Sequence, residues 1–449
     1  MTLPKQPLPN HKTSLATATG LGICLMFSTL PAFGDPSDNP RISFDQILEG
    51  YQGSFKVVHD SGGYRSTAWS SGRMGYNPDR GSVFISSADN DSNGDMVGEF
   101  LIPETLSSST NPNQLPNASL LQDFVRLQDR VPFDNVDNLN EVGGITYSNG
   151  ELIVQYADWY DAAGDNRQTT LVVKNANRLS NSQIDGFFEM DGAARTFNYV
   201  SPIPAEWQSI LGGDFFAGNG NDLSISSRLS IGPSMFVFDR SDLSGSRGGR
   251  VPTDAKMTFD LGTALGIDLY PWNGSWDQYN RRGINSGFTE KNDLWTVQSA
   301  AVYGFIVPGT RTFVVVGRSG MHNSGGGYKI VQNNGNLCGG PCPYDPADNY
   351  PYYWLFDLND IVNASAPWDV TPYEYGSWDD RFPMGLPSAG SFDPSSGKLL
   401  IVVDGATAND DGGHPVINVY QIGDTPPPVE EDSPPNAPEI RGVTIISDS

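Results

Sequence analysis

The chain has 449 residues, a formal net charge of −25 at pH 7 and four histidines. A charge this negative disfavours binding to nucleic acid and to anionic membranes, because their phosphates would repel it. Fifty glycines and 33 prolines, with aromatic residues at 11%, are typical of short strands joined by many turns, so the chain is predicted to be all-β.

Residues 1–34 are predicted to form a signal peptide. Lys5 and Lys12 precede an apolar run over residues 14–30, and residues 32–34 (AFG) match the small-x-small pattern of a cleavage site. Gly, Thr and Ser inside the run disfavour the alternative, a retained transmembrane anchor. We therefore expect cleavage near Gly34, a secreted protein (extracellular or periplasmic) and no membrane insertion.

An irregular repeat of strand, tight turn, apolar strand, long polar loop and strand follows. Its copies begin at Gly75, Gly143, Gly213, Tyr303 and Gly390. Such units cannot bury their faces alone, so they must surround an axis or stack. Their spacing exceeds the ~40–50 residues of a compact blade, which leaves room for undetected blades. The predicted fold is a β-propeller of five to seven blades over residues 35–424. Residues 54–58 are expected to close the ring, and a short helical turn is expected near residues 204–211.

The segment DNDSNGD, residues 89–95, has the pattern of a metal-binding loop. Asp89, Asp91, Asn93 and Asp95 occupy alternate positions, and Gly94 permits a sharp turn, as in the front half of a calcium loop. An EF-hand is excluded because position twelve is Phe100 and the flanking segments are predicted strands. A Ca²⁺-bound hairpin loop and a solvated polar loop both remain open.

Charged residues recur where the second strand of each copy ends: Asp89, Asp158, Arg228, Arg318 and Asp404. Glu141 enters the first strand of its copy from the same side. Equivalent positions of a propeller lie on one face, so Glu141, Asp158, Arg318 and Asp404 are predicted to border one opening. Glycoside hydrolysis needs two carboxylates about 5–10 Å apart, which makes these residues catalytic candidates. The alternative is that such aspartates fix their own loops.

His322 is a further catalytic candidate because it follows Arg318 closely, in GRSGMHNSGGGYK. In a polysaccharide lyase, an arginine neutralises the uronate carboxylate while a histidine or tyrosine moves the proton. A simple loop role for His322 is the alternative.

Aromatic residues cluster in the predicted loops, and residues 272–279 form the best surface candidate. Exposed Trp and Tyr rings stack on sugars. The alternative is that the rings fill the space between blades.

Cys338 and Cys342, in CGGPC, are predicted to form a short-loop disulfide in an exported chain. A redox pair or half of a metal site remains open, although a zinc site lacks further His or Cys ligands nearby. Beyond them, residues 425–449 begin with the Pro-rich acidic segment PPPVEEDSPPNAP, which predicts an extended linker or tail.

Landmarks such as YNPDRGSVFI, SSRLSIGPSMFVFD, YDPADNYPYYWLFDLND and GSFDPSSGKLL span most of residues 65–422. In these segments the chain resembles a family of uncharacterised secreted bacterial proteins with propeller-like repeats. The resemblance supports the fold and implies no function.

These patterns favour a secreted, carbohydrate-active propeller of the glycoside hydrolase or polysaccharide lyase type, with its site on one face. Ca²⁺ is the candidate cofactor, and a polysaccharide or cell-surface glycan is the expected partner. The alternative is a non-catalytic extracellular binding or scaffold module.

Overall fold

A computed structural model describes residues 34–89, 95–132, 137–161, 166–220, 230–260, 262–268, 292–378, 385–404, 407 and 413–422. Residues 1–33 of the predicted signal peptide, Asp91, Asn93, Arg228, the 272–279 segment and the C-terminal tail lie outside the described residues.

Among the described residues, five sheets form the blades, and their strands pair antiparallel with one exception in blade 2. Blade 1 contains β2 (Met74–Asn77), β3 (Ser82–Ser86), β4 (Val97–Leu101) and β5 (Ser119–Val125). Blade 2 contains β6 (Glu141–Ser148), β7 (Glu151–Ala157), β8 (Gln168–Val173) and β9 (Ile184–Met190), with β13 (Gly249–Val251) added in parallel to β9. Blade 3 contains β10 (Tyr199–Pro202), β11 (Phe215–Gly218), β12 (Met235–Phe238) and β14 (Asp254–Met257).

Blade 4 contains β15 (Ala300–Ile306), β16 (Thr312–Gly320), β19 (Asn349–Asp357) and β20 (Glu374–Ser377). Blade 5 contains β21 (Leu386–Asp393), β22 (Lys398–Asp404), β23 (Val416–Gln421) and the N-terminal strand β1 (Tyr51–Lys56). Because β1 pairs with β23, the start of the described chain closes the ring, as expected for residues 54–58.

The described helices are short. They are α1 (Phe44–Leu48), α2 (Ala205–Leu211) and α3 (Leu358–Asn363), with 3₁₀ turns at Pro36–Asp38, Pro112–Gln114, Gln128–Arg130, Ala176–Arg178, Ala193–Thr196 and Arg240–Asp242. Helix α2 confirms the helical turn predicted near residues 204–211.

The first strand of every blade lies at the axis, where neighbouring strands approach closely. A Cβ at Gly143 would lie 1.8 Å from the Phe197 carbonyl oxygen, and one at Gly390 would lie 2.7 Å from the Tyr303 ring. Glycine is therefore required at these points. A small, partly open cavity of about 10 Å³ remains at the axis, lined in part by Arg73 and Asn198; this is enough space for one water molecule.

Apolar cores lie between adjacent blades, so both faces of a blade are covered. In β3, Phe84 packs with Leu152 of blade 2, while Val83 and Ile85 pack with Leu400 of blade 5. Successive side chains of a strand point to opposite faces. This explains why the SVFIS segment is buried throughout rather than alternating with polar residues.

The structure confirms the all-β propeller, and its described residues form five blades. One repeat boundary was misplaced: Gly213 precedes β11, a second strand, and the first strand of that blade is β10. The predicted repeat lacked β10 because this strand has only four residues, too few to show a clear alternation of apolar and polar side chains.

A two-stranded sheet, β17 (Gly326–Tyr328) with β18 (Pro341–Pro343), lies within the connection between β16 and β19. Cys338 and Cys342 form a disulfide in this hairpin, with Cα atoms 6.3 Å apart, as predicted. Among the described residues, no helix has the length and apolar character needed to cross a bilayer.

Candidate functional site

One face of the propeller, here called the upper face, gathers the ends of the second strands and the starts of the first strands. The register places Glu141 opposite Ala157, Ala300 opposite Arg318, and Leu386 opposite Asp404. The loop that leaves β1 also opens here, because Lys56 pairs with Val416 at the start of β23. The charged positions of the repeat therefore share this face.

Three carboxylates of the upper face converge where blades 1 and 2 meet. Oxygen atoms of Asp89, Asp95 and Glu141 all lie within 4.8 Å of one another. Asp89 is exposed, whereas Asp95 is 1% exposed and Glu141 is 4% exposed. We call these three residues the acid cluster. It is open to solvent on the side of Asp89 and enclosed by protein on the other side.

The backbone around Asp95 directs its carboxylate towards blade 2. Asp95 has a φ of 54°, a left-handed conformation that Asp tolerates better than most residues do. Its N–H donates to the Ala88 carbonyl (3.2 Å), and its Oδ1 accepts from the Val142 N–H (3.1 Å). Because Glu141 directly precedes Val142 in the chain, this hydrogen bond holds Asp95 beside Glu141.

Neutral polar groups support the acid cluster from below. Gln128 Nε2 donates to the Asp95 carbonyl (3.4 Å), and the Tyr156 hydroxyl donates to Gln128 Oε1 (3.3 Å). Burial, reinforced by the nearby charge of Asp95, raises the pKa of Tyr156 well above its ordinary value. Tyr156 therefore adds no negative charge beneath the cluster.

The acid cluster has the donor chemistry and spacing of a site for a hard cation. Ca²⁺ binds carboxylate oxygens at about 2.3–2.6 Å, so two ligands of one ion lie at most about 5 Å apart. The observed limit of 4.8 Å satisfies this condition. The three residues could hold a metal ion.

Exposed aromatic rings flank the acid cluster. Trp69 is 68% exposed, and its carbonyl accepts a hydrogen bond from the Asp89 N–H (3.0 Å). Near Glu141, Trp159 and Tyr160 are 39% and 60% exposed, with ring centroids 5.8 Å apart. The Trp159 N–H donates to Oδ1 of Asn140 (2.9 Å), the residue before Glu141.

The other predicted catalytic residues occupy different settings on the upper face. Asp158 Oδ1 accepts from the Tyr160 N–H (3.2 Å), so this carboxylate holds its own loop. Arg318 lies near the end of β16 and Asp404 at the end of β22, and both side chains are partly exposed. Among the predicted residues, the structure groups Glu141 with Asp89 and Asp95.

His322 lies in a buried network of blade 4. Its side chain is 6% exposed, its ring stacks on Tyr352 at 5.0 Å, and Nε2 lies 2.8 Å from Ser319 Oγ. Burial lowers the pKa of His322, against the opposing influence of the Asp348 and Asp293 carboxylates. The imidazole is therefore neutral at pH 7.

Sequence reasoning missed Trp69 and assigned Glu141 to a different site from Asp95. Trp69 stands in a segment of small and polar residues, STAWSSGR, where a lone tryptophan has no packing pattern to explain it. A lone tryptophan in such a segment is the sequence signal that could have identified Trp69 as a surface residue. Glu141 lies 46 positions after Asp95 in the sequence, and the contact between the two depends on how blades 1 and 2 pack.

No protein-family model and no curated protein matches the chain. Among solved structures, it is similar to an endo-arabinase from Bacteroides thetaiotaomicron, with 12% identity, a TM-score of 0.35, and coverage of 83% of this chain and 99% of that one. It is also similar to a Bifidobacterium bifidum protein to which exo-β-1,3-galactanase activity is attributed. The identity is 9% and the TM-score 0.36, with coverage of 84% of this chain and 94% of that one. A periplasmic gluconolactonase from Pseudomonas aeruginosa shows 9% identity, a TM-score of 0.28, and coverage of 79% and 86%. Similarity at this level says nothing about the activity of this chain.

Proposed function

We propose that this chain is a secreted, calcium-dependent carbohydrate-binding propeller whose binding site is the upper face around the acid cluster. The observation that carries the proposal is three converging carboxylates with exposed aromatic residues next to them, Trp69 hydrogen-bonded to Asp89 and Trp159 hydrogen-bonded to Asn140. The expected partner is a polysaccharide or a cell-surface glycan.

The choice of Ca²⁺ follows from the ligands. Carboxylate oxygens suit hard cations, and Ca²⁺ accepts six to eight of them in flexible geometry. Asp89, Asp95 and Glu141 would supply three, and Asp91 and Asn93 of the DNDSNGD segment are proposed to add to them. A bound divalent cation would offset the repulsion among three like charges held within 4.8 Å.

The aromatic side chains supply the second half of the proposal. A sugar ring has an apolar C–H face and a polar rim, so a Trp or Tyr ring covers the first while the second remains hydrated. Trp69, Trp159 and Tyr160 expose their rings on the face that carries the acid cluster.

Glycoside hydrolysis is the second candidate function, favoured by the spacing of the same carboxylates. Retaining glycosidases hold their two carboxyl groups about 5–5.5 Å apart, close to the spacing within the acid cluster. Glu141 would then act as acid or nucleophile, with Asp158, Arg318 and Asp404 at the rim of the site. A polysaccharide lyase is less well supported, because it would need the buried His322 to reach the substrate.

A glycan array probed with and without Ca²⁺, together with a hydrolysis screen on the same polysaccharides, separates these functions. We expect binding that chelator abolishes and no release of reducing sugar. Hydrolysis that persists in chelator would favour the glycosidase. An absence of binding to every polysaccharide, with or without Ca²⁺, would refute the carbohydrate proposal.

Export has its own test. N-terminal sequencing of protein recovered from outside the cytoplasm should begin at Asp35, directly after the proposed cleavage site. A mature protein that retains residues 1–34 would contradict the proposed signal peptide.

A further inference from the structure

We infer that the upper face binds the interior of a polysaccharide chain rather than a single terminal sugar, with Trp69 and the Trp159–Tyr160 pair as stacking platforms on opposite sides of the acid cluster. This inference rests on the proposed carbohydrate-binding function and specifies the form of the ligand.

The backbone of the platform at Trp69 is held firmly although the residue is 68% exposed. On one side, the buried Thr67 donates from Oγ1 to the Val57 carbonyl (2.7 Å). On the other, the buried Ser70 donates from Oγ to the Ser86 carbonyl (2.7 Å). The Trp69 N–H donates to the Gly413 carbonyl (3.3 Å). An exposed apolar ring on an anchored backbone is preorganised for a ligand, because little order is lost on binding.

The platform on blade 2 is also held by its surroundings. The Trp159 N–H donates to Asn140 Oδ1 (2.9 Å), and the Tyr160 N–H donates to Asp158 Oδ1 (3.2 Å). The two rings stack with an interplanar angle of 27°. Asp158 is thus a positioning residue for this platform.

Chain topology places the acid cluster between the two platforms. Trp69 lies in the loop that passes from β1 of blade 5 to β2 of blade 1, Asp89 follows β3 of blade 1, and Glu141 begins blade 2. Trp159 then follows β7 of blade 2. One sugar ring covers one aromatic platform, so a ligand that engages both platforms must continue past the cluster in both directions.

Affinity as a function of ligand length tests the inference. The probes are oligosaccharides, from disaccharide to octasaccharide, made by partial hydrolysis of the polysaccharide that binds best on the array. Calorimetry in Ca²⁺ should show affinity rising at least about tenfold over this series, as each added stacking contact contributes.

Variants identify the platforms. Trp69→Asn removes the ring while keeping a residue that tolerates the φ of 61° at this position. It should weaken octasaccharide binding about tenfold and leave disaccharide binding within about twofold. Trp159→Ala should do the same, and it serves as the test if Trp69→Asn lowers the melting temperature. Trp368→Ala, at a tryptophan 49% exposed in the connection between α3 and β20 of blade 4, is the matched control and should change neither affinity.

Equal affinity for short and long oligosaccharides would overturn the inference while leaving the proposed function intact. The same holds if Trp69→Asn and Trp159→Ala both bind the octasaccharide normally. If the unsubstituted protein binds no polysaccharide, the proposed function fails and this inference fails with it.

Discussion

Blades 1 and 2 meet through carboxylates near both faces of the propeller, and the two groups differ in composition. Towards the lower face, Glu99 is fully buried and accepts hydrogen bonds from Arg80, Ser82, Asn77 and Gln122. At the upper face, Asp89, Asp95 and Glu141 bring three carboxylates within 4.8 Å of one another.

We interpret Glu99 as a structural charge and the acid cluster as a binding site. Glu99 meets its cation and its donors inside the protein, and Gln122 and Arg80 continue to the 174–183 loop of blade 2 through the Ala176 carbonyl and Asn177. This arrangement stabilises the contact between the blades. The acid cluster gathers three carboxylates within 4.8 Å of one another, and a bound cation would reduce the repulsion among them.

The largest expected effect is at the lower group. Glu99→Ala removes the acceptor of Arg80 and of three polar side chains, so the free energy of unfolding should fall by about 3 kcal/mol. Urea denaturation measures it, with the exposed Glu104→Ala as the control. Calcium-dependent stabilisation should persist in Glu99→Ala. If Glu99→Ala lost its calcium-dependent stabilisation, the two groups would be coupled, which would contradict the distinction between a structural charge and a binding site.

The upper group should respond to calcium. At a Ca²⁺ concentration a hundredfold above Kd, the unsubstituted protein should gain about 2.7 kcal/mol over its chelated form. Glu141→Gln should lose most of this gain. In chelator it should be at least as stable as the unsubstituted protein, because one of three crowded charges is gone. Thermal melts with Ca²⁺ and with chelator test both statements, and Glu104→Gln is the control. A Glu141→Gln protein that still responds fully to Ca²⁺ would remove this residue from the site.

His322 offers a third setting, a buried neutral base: its backbone N–H donates to Asp348 Oδ1 (3.1 Å), Nε2 lies 2.8 Å from Ser319 Oγ, and its ring stacks on Tyr352. Burial lowers the pKa of His322, so the unfolded chain binds more protons than the folded chain as the pH falls below the unfolded value of about 6.5. Stability should therefore decrease with falling pH through that window, by at most about 1.4 kcal/mol per pH unit for one proton.

His322→Gln should flatten this part of the profile, which denaturant midpoints at closely spaced pH values would measure. The difference between the two pH profiles gives the contribution of His322 alone, because carboxyl groups contribute equally to both proteins. Glu374 is one such group: burial raises its pKa, so its contribution to stability increases as the pH falls. Parallel profiles for both proteins would contradict the assignment.

The smallest expected effect is at Asp158. Asp158→Ala removes the acceptor of the Tyr160 N–H and should cost about 1 kcal/mol. Asp158→Asn keeps an acceptor oxygen and should retain stability and glycan binding. If Asp158→Asn instead abolished a hydrolytic activity at unchanged melting temperature, Asp158 would be catalytic rather than a positioning residue.

Much of the fold could be predicted from the sequence because its signals are local. Apolar strands next to tight turns, as in GKLLIVV, recur along the chain, and Gly75, Gly143 and Gly390 lie in the first strands of blades 1, 2 and 5. The helical turn of α2 and the Cys338–Cys342 pair are local as well. The boundary of the third blade was not accessible in this way, because four residues of β10 carry too little periodicity.

Some features of the candidate site could likewise be predicted from the sequence, and others could not. The pattern of residues 89–95 and the shared face of the charged positions were predicted from the sequence, because repeat position fixes the face on which a side chain lies. The grouping of Asp95 with Glu141, the exposure of Trp69 and the burial of His322 were decided by tertiary structure. Each depends on how one blade packs against the next and on which loops cover a side chain, and no spacing within a single repeat encodes those contacts.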